Sequence, residues 1–111
     1  MISKAALDHW HKMLLAFIDK KLSQGVKVVL KDKLTDVRGG ELCGITMPDQ
    51  DHEDHYCVFV SVNSNQVSTL IHEFLHKMFP DQAEDFIQNL EKELVTSFTT
   101  AQLKKFKKYL K

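Results

Sequence analysis

The sequence predicts a small α+β domain on three observations. Apolar residues recur at helical spacing at both ends of the chain, they alternate with polar residues in the middle, and Gly-, Pro- and Asp-containing turns separate the two regimes. The expected order is an N-terminal helix, a small three-stranded and mostly antiparallel sheet, and three further helices, all in one domain over residues 1–111.

Ser3 is placed to cap a first helix in which Leu7, Trp10, Leu14, Phe17, Ile18 and Leu22 form one stripe, ending near Gly25. Val26, Val28 and Leu30 then alternate with Lys27 as a half-buried strand, closed by the turn Asp36-Val37-Arg38-Gly39-Gly40. A second strand is expected over Glu41 to Met47 and a third over Tyr56 to Val62, joined by the acidic loop Pro48 to Asp54. A hairpin centred on Gln50 would set Cys43 opposite Cys57.

From Asn65 the period lengthens to 3.6. Val67, Leu70, Ile71, Phe74, Leu75 and Met78 make a stripe that stops at Pro80. Asp81 followed by Glu84 has the form of a capping box, opening a third helix with Ala83, Phe86, Ile87, Leu90 and Leu94 on one side. Thr99 and Gln102 repeat that signature before a last helix from Thr100 to about Leu110, apolar at Leu103, Phe106 and Leu110 and lysine-rich elsewhere.

Composition narrows the function. The chain has 111 residues, 43% of them hydrophobic, with only 4 Gly and 2 Pro, which places it with ordinary globular domains. Its 15 basic and 15 acidic side chains cancel, so no global field draws it to nucleic acid or anionic lipid. Two cysteines are too few for a disulfide scaffold. Asp8, His9, His11 and Lys12 interrupt the apolar stretch that a signal peptide needs, and no apolar run reaches the roughly 18 residues of a membrane span. The expectation is a soluble cytoplasmic protein with neither a nucleic-acid nor a membrane partner.

The chemistry concentrates in His72-Glu73-Phe74-Leu75-His76, an HExxH sequence inside the second predicted helix. Residues four apart share a helix face at about 6 Å, so both imidazoles can reach one metal ion. His72 and His76 lie off the apolar stripe, with Thr69 between them on the wheel. Glu73 is too constrained by the helix to join the same ligand shell easily, but it is placed to take a proton from the attacking water. A catalytic zinc site uses three protein ligands and one open position. Glu84, just past the Pro80 break, is the chosen third ligand, with its capping role as the competing reading and Glu91 in reserve. His52 and His55 in the acidic loop read as turn chemistry or a weak second cation site, His9 and His11 as surface or packing residues, and Cys43 and Cys57 as buried small hydrophobes.

The run Leu70-Ile71-His72-Glu73-Phe74-Leu75-His76, then Lys77-Met78-Phe79-Pro80 and Glu84, resembles the minigluzincins, small soluble zinc metallopeptidases. Related patterns occur in the catalytic cores of membrane gluzincin peptidases. The specific part of the resemblance covers residues 70–84, and a looser similarity of length and element order covers most of the chain. It implies a zinc peptidase holding one catalytic Zn2+ on His72, His76 and Glu84, with Glu73 as general base and a peptide or protein substrate along a sheet edge, for which Tyr56 to Val62 is the expected strand. Gluzincins commonly stabilise the oxyanion with a downstream Tyr or His, and only Tyr109 follows the motif here, without an assigned role. The family includes latent forms whose C-terminal segment fills the cleft, and the lysine-rich helix from Thr100, facing the acids Asp49, Asp51, Glu53 and Asp54, is the expected plug. Two alternatives remain: a non-catalytic zinc-stabilised binding module, and a nucleic-acid contact helix on Lys104, Lys105, Lys107, Lys108 and Lys111, which zero net charge disfavours.

Overall fold

The computed structural model describes residues 2–49 and 52–110, with side chains 49–55 outside the description. Ser3 accepts a hydrogen bond from the Ala6 amide and opens α1 (Lys4–Ser23), which ends before Gly25 in a left-handed conformation at φ 107°. The chain then runs through β1 (Lys27–Lys31), β2 (Leu34–Thr35), β3 (Glu41–Leu42), β4 (Gly44–Asp49) and β5 (His52–Ser61). Three helices follow, α2 (Gln66–Met78), α3 (Glu84–Ser97) and the short α4 (Thr100–Lys104), before a 3-10 turn over Lys105–Tyr109. The fold is α+β, as the periodicities predict.

The main sheet has the order β1-β5-β4 and is mixed. β5 pairs antiparallel with β4, but β1 lies parallel to β5 with Val28 opposite Val58 and Leu30 opposite Val60, so the sheet is not mostly antiparallel. The unbroken run Tyr56-Cys57-Val58-Phe59-Val60 suits a central strand flanked on both edges. The predicted second strand splits in two. Its first part, β3, leaves the main sheet and pairs with β2 across a turn in which the Asp36 carboxylate accepts from the Arg38 and Gly40 amides, both at 2.8 Å. Register also differs from the expected hairpin: Cys57 faces Met47, whereas the Cys43 carbonyl accepts from the Ser61 amide. Both thiols are free, and Cys43 is exposed rather than buried.

α2 packs on β4 and β5 through Leu70, Ile71, Phe74 and Leu75, all fully buried, and α1 and α3 close on it with Leu14, Ile18, Ile87 and Leu94. Pro80 follows the Phe79 C-cap, as expected of a residue that cannot continue the helix. The capping box foreseen at Asp81 is absent: α3 begins only at Glu84, with Ala83 as N-cap and no side-chain cap bond, and the Glu84 carboxylate meets His72 and His76 instead. The Thr99–Gln102 box does form. It opens only five helical residues before the 3-10 turn, whose Phe106 and Tyr109 are buried. His11 is a packing residue: it is 5% exposed, its Nε2 lies 3.0 Å from the Gln102 carbonyl oxygen, and Phe98 and Phe106 meet its ring edge-on. No helix among the described residues is long and apolar enough to cross a membrane.

Candidate metal centre

α2 is apolar on one side and functional on the other. Because Leu70, Ile71, Phe74 and Leu75 fix which face meets the sheet, the remaining face carries Thr69, His72, Glu73 and His76 toward a cleft of about 740 Å³. α3 forms a second wall with Glu84, Gln88, Glu91 and Lys92, and the β3–β4 junction forms a third with Leu42, Cys43 and Gly44.

Three sequence-predicted ligands meet there. The His72 and His76 Nε2 atoms are 3.1 Å apart, Glu84 Oε1 is 2.9 Å from the first and Glu84 Oε2 is 2.7 Å from the second. Tetrahedral ligands about 2.0–2.1 Å from a common ion stand roughly 3.3 Å apart, so these contacts, which involve both oxygens of Glu84, are a few tenths of an ångström tighter than zinc-bound donors would stand. Two imidazoles and one carboxylate fit zinc chemically, in the three-ligand form that leaves a position open. The donor atoms of His72, Glu73 and His76 all lie within 4.8 Å of one another, so Glu73 stands beside the same point.

Glu73 is 8% exposed, and burial raises its carboxyl above the ordinary carboxylate range. Glu84 adds to that rise, while His72, His76 and Lys77 oppose it. A bound cation would act in the same sense as the imidazoles and favour the ionised form.

Glu91, the reserve ligand of the sequence reading, sits on the far side of His72. Its Oε1 lies 2.8 Å from His72 Nδ1, and its Oε2 accepts from the Ser68 hydroxyl at 2.7 Å. It meets the ring nitrogen turned away from Glu84, which corrects the reserve assignment. His52 and His55 fall in the segment whose side chains are not described.

Gly44 is a site residue that sequence reasoning passed over. A Cβ there would stand 2.5 Å from Thr69 Cγ2, 3.1 Å from the Phe59 carbonyl oxygen and 3.5 Å from Glu73 Cγ. The missing side chain lets the outer strand β4 close onto α2 beside Glu73; an isolated glycine within a predicted strand is the one signal that could have pointed to it. β5, the strand expected to hold substrate, is paired on both edges, which leaves β4 as the sheet edge beside the cleft. Tyr56 is buried, with Lys77 Nζ 4.5 Å from its ring centroid, and burial pushes its hydroxyl up to about 12.

The described part of the C-terminal segment does not plug this cleft. Among the described residues, none from Thr100 onward lines it; Tyr109 instead donates to Asp19 Oδ1 at 2.7 Å, and Lys108 lies 3.9 Å from the same oxygen. Comparisons with protein-family models, curated proteins and solved structures give no match for this chain.

Proposed function

We propose that the protein is a zinc-dependent peptidase of the gluzincin type, with His72, His76 and Glu84 as ligands and Glu73 as general base. The observation that carries this reading is the meeting of two imidazoles from α2 and one carboxylate from α3 at about 3 Å, with a buried second carboxylate beside them in an open cleft. The resemblance of residues 70–84 to the minigluzincins points the same way.

Zinc, when bound there, supplies Lewis-acid polarisation of the scissile carbonyl and lowers the pKa of water. The chain's own groups do the rest. Glu73 accepts the proton of the attacking water and delivers it to the departing amine. The free edge of β4 holds the peptide backbone in extended form beside Glu73, by the strand addition that exposed edges favour. Glu84, half-exposed, and His76, about one third exposed, leave the donor group open to the cleft.

A zinc-stabilised binding module without turnover is the second reading. Its favouring observation is Tyr109, the one tyrosine downstream of the motif, which is bonded to Asp19 away from the cleft and so supplies no phenol for an oxyanion. Zinc-loaded protein incubated with unfolded protein substrates separates the two. Cleavage that disappears in Glu73→Gln while zinc stays bound supports the peptidase, and one equivalent of zinc with no cleavage by the wild type supports the module.

A further inference from the structure

We infer that the substrates are acidic peptides, and that Lys92 and Lys107 read a carboxylate at the end of the cleft remote from the donor group. This rests on the peptidase reading above and names its substrate class. The cleft has a direction. α2 and α3 run antiparallel along it, because Glu84, the first residue of α3, meets His76 near the end of α2, whereas Glu91 meets Ser68 near its start. The donor group therefore marks one end, and Asn65 and Lys92 border the other. Lys92 follows Glu84 by eight residues of α3, about 12 Å at a rise of about 1.5 Å per residue. An extended peptide advances about 3.3 Å per residue, so with the reach of its own side chain Lys92 meets a residue about two to four positions from a bond held at the donor group.

The charges along the cleft are unevenly committed. Glu84 meets both imidazoles, Glu73 is buried beside them, and Glu91 has one oxygen on His72 and the other on Ser68. Lys92 lines the same cleft, is exposed, and makes no ion pair among the described residues. Its distance from Glu84 exceeds the screening length of about 8 Å at physiological ionic strength, so that acid does not cancel it. Past Asn65 the cleft adjoins a recess of about 450 Å³, which Asn65 also borders. Lys107 is the one charged side chain in the lining of that recess, and it too is exposed and without an ion pair among the described residues, whereas the next residue, Lys108, is turned to Asp19. The unpaired charges at this end of the groove are thus both positive, in a chain whose net charge is zero. A carboxylate is the group that two such cations select, whether it belongs to an Asp or Glu side chain or to the free end of the peptide.

The test uses the zinc-loaded full chain and its Lys92→Ala, Lys92→Glu and Lys107→Glu variants. A digest of denatured proteins, read by mass spectrometry, gives the bonds cleaved, and an Asp, a Glu or a chain end should recur about two to four residues to one side of them. The best peptide is then compared with its Asn/Gln counterpart and with its C-terminal amide. Each lysine should contribute about two- to fivefold to the preference for the acidic form, carried by KM and erased by about 0.5 M salt. Lys92→Glu should invert the preference, which a structural role would not do, since that would slow both peptides alike. Loss of the preference on amidation assigns the carboxylate to the chain end, and loss on Asn/Gln replacement assigns it to a side chain. No acidic bias in the wild type, or the same bias in Lys92→Glu and Lys107→Glu, overturns the inference. If nothing is cleaved, the peptidase reading fails by itself, and fluorescence anisotropy still decides between tighter binding of a labelled Asp/Glu-rich decapeptide than of its Asn/Gln counterpart, reversed in Lys92→Glu, and equal binding, which overturns the inference. Displacement of that peptide by a single-stranded oligonucleotide at lower concentration than by its own unlabelled form would reveal a nucleic-acid surface and overturn it too.

Discussion

Glu84 Oε2 lies 2.7 Å from His76 Nε2, and this contact joins two helices across the only break between them, Phe79 to Ala83. α2 supplies both imidazoles by its own periodicity, but the carboxylate arrives only because the Pro80 turn folds α3 back. Glu84→Ala should leave the fold intact, since its side chain is 53% exposed, and should greatly reduce the zinc retained after dialysis. Elemental analysis of wild type and variant checks it; equal zinc in both would remove Glu84 from the ligand set.

Metal removal should lower stability as well. A ligand that binds only the folded state stabilises by about 2.7 kcal/mol when its free concentration is 100 times Kd. Thermal unfolding with added zinc and then with excess chelator should show Tm falling on chelation, and the difference should shrink in His72→Ala and His76→Ala.

Glu73 carries a pH signature. Its carboxyl is raised in the folded protein, so between the ordinary carboxylate pKa and the raised one the folded state holds more protons than the unfolded state. In metal-free protein this group therefore costs stability progressively as pH rises through that window, and the cost persists above it. Glu73→Gln should raise Tm at neutral pH and leave it nearly unchanged at low pH, where the wild-type carboxyl is already protonated. A lower Tm for the variant at neutral pH would contradict the burial argument.

Gly44 should tolerate no side chain. The 2.5 Å approach to Thr69 Cγ2 makes Gly44→Ala an overpacking change, expected to cost about 1–3 kcal/mol. Because Thr69 Cγ2 is the nearest obstacle, Thr69→Ser should recover part of that loss, and a double-mutant cycle in urea would measure the coupling. Additive single effects would mean that β4 moves away from α2 instead.

The C-terminal segment is part of the core. Phe106 is fully buried against His11 and Phe98, so Phe106→Ala should cost about 3–5 kcal/mol by chemical denaturation. Truncation after Ser97 should accordingly destabilise the protein; a truncated chain that stays folded and gains peptidase activity would restore the plug reading.

How much of this was legible from residue order follows the range of each interaction. The first two helices were legible because their stripes and stops are local: Ser3, Gly25 and Pro80 mark ends through contacts within a few residues, as the Thr99–Gln102 box does for the start of α4, whereas the start of α3 and the early end of α4 were not. The pairing of His72 with His76 was legible for the same reason, since helical geometry alone places residues four apart on one face. The short Pro80 turn made Glu84 a candidate.

Tertiary structure decided the rest. Strand period two says which residues share a face but not which strand lies beside which, so the parallel pairing of β1 with β5 and the offset of Cys43 from Cys57 were beyond a local reading. Glu84 and Glu91 are two carboxylates on one helix, and only the way α3 packs on α2 sends the first to the Nε2 atoms of His72 and His76 and the second to His72 Nδ1. The same holds for Gly44 beneath Thr69 and for Tyr109 on Asp19. The sequence by itself determined the helix that carries the two histidines, because its hydrogen bonds and apolar stripe are local; the packing of distant segments, whose partners no local spacing encodes, decided what surrounds them.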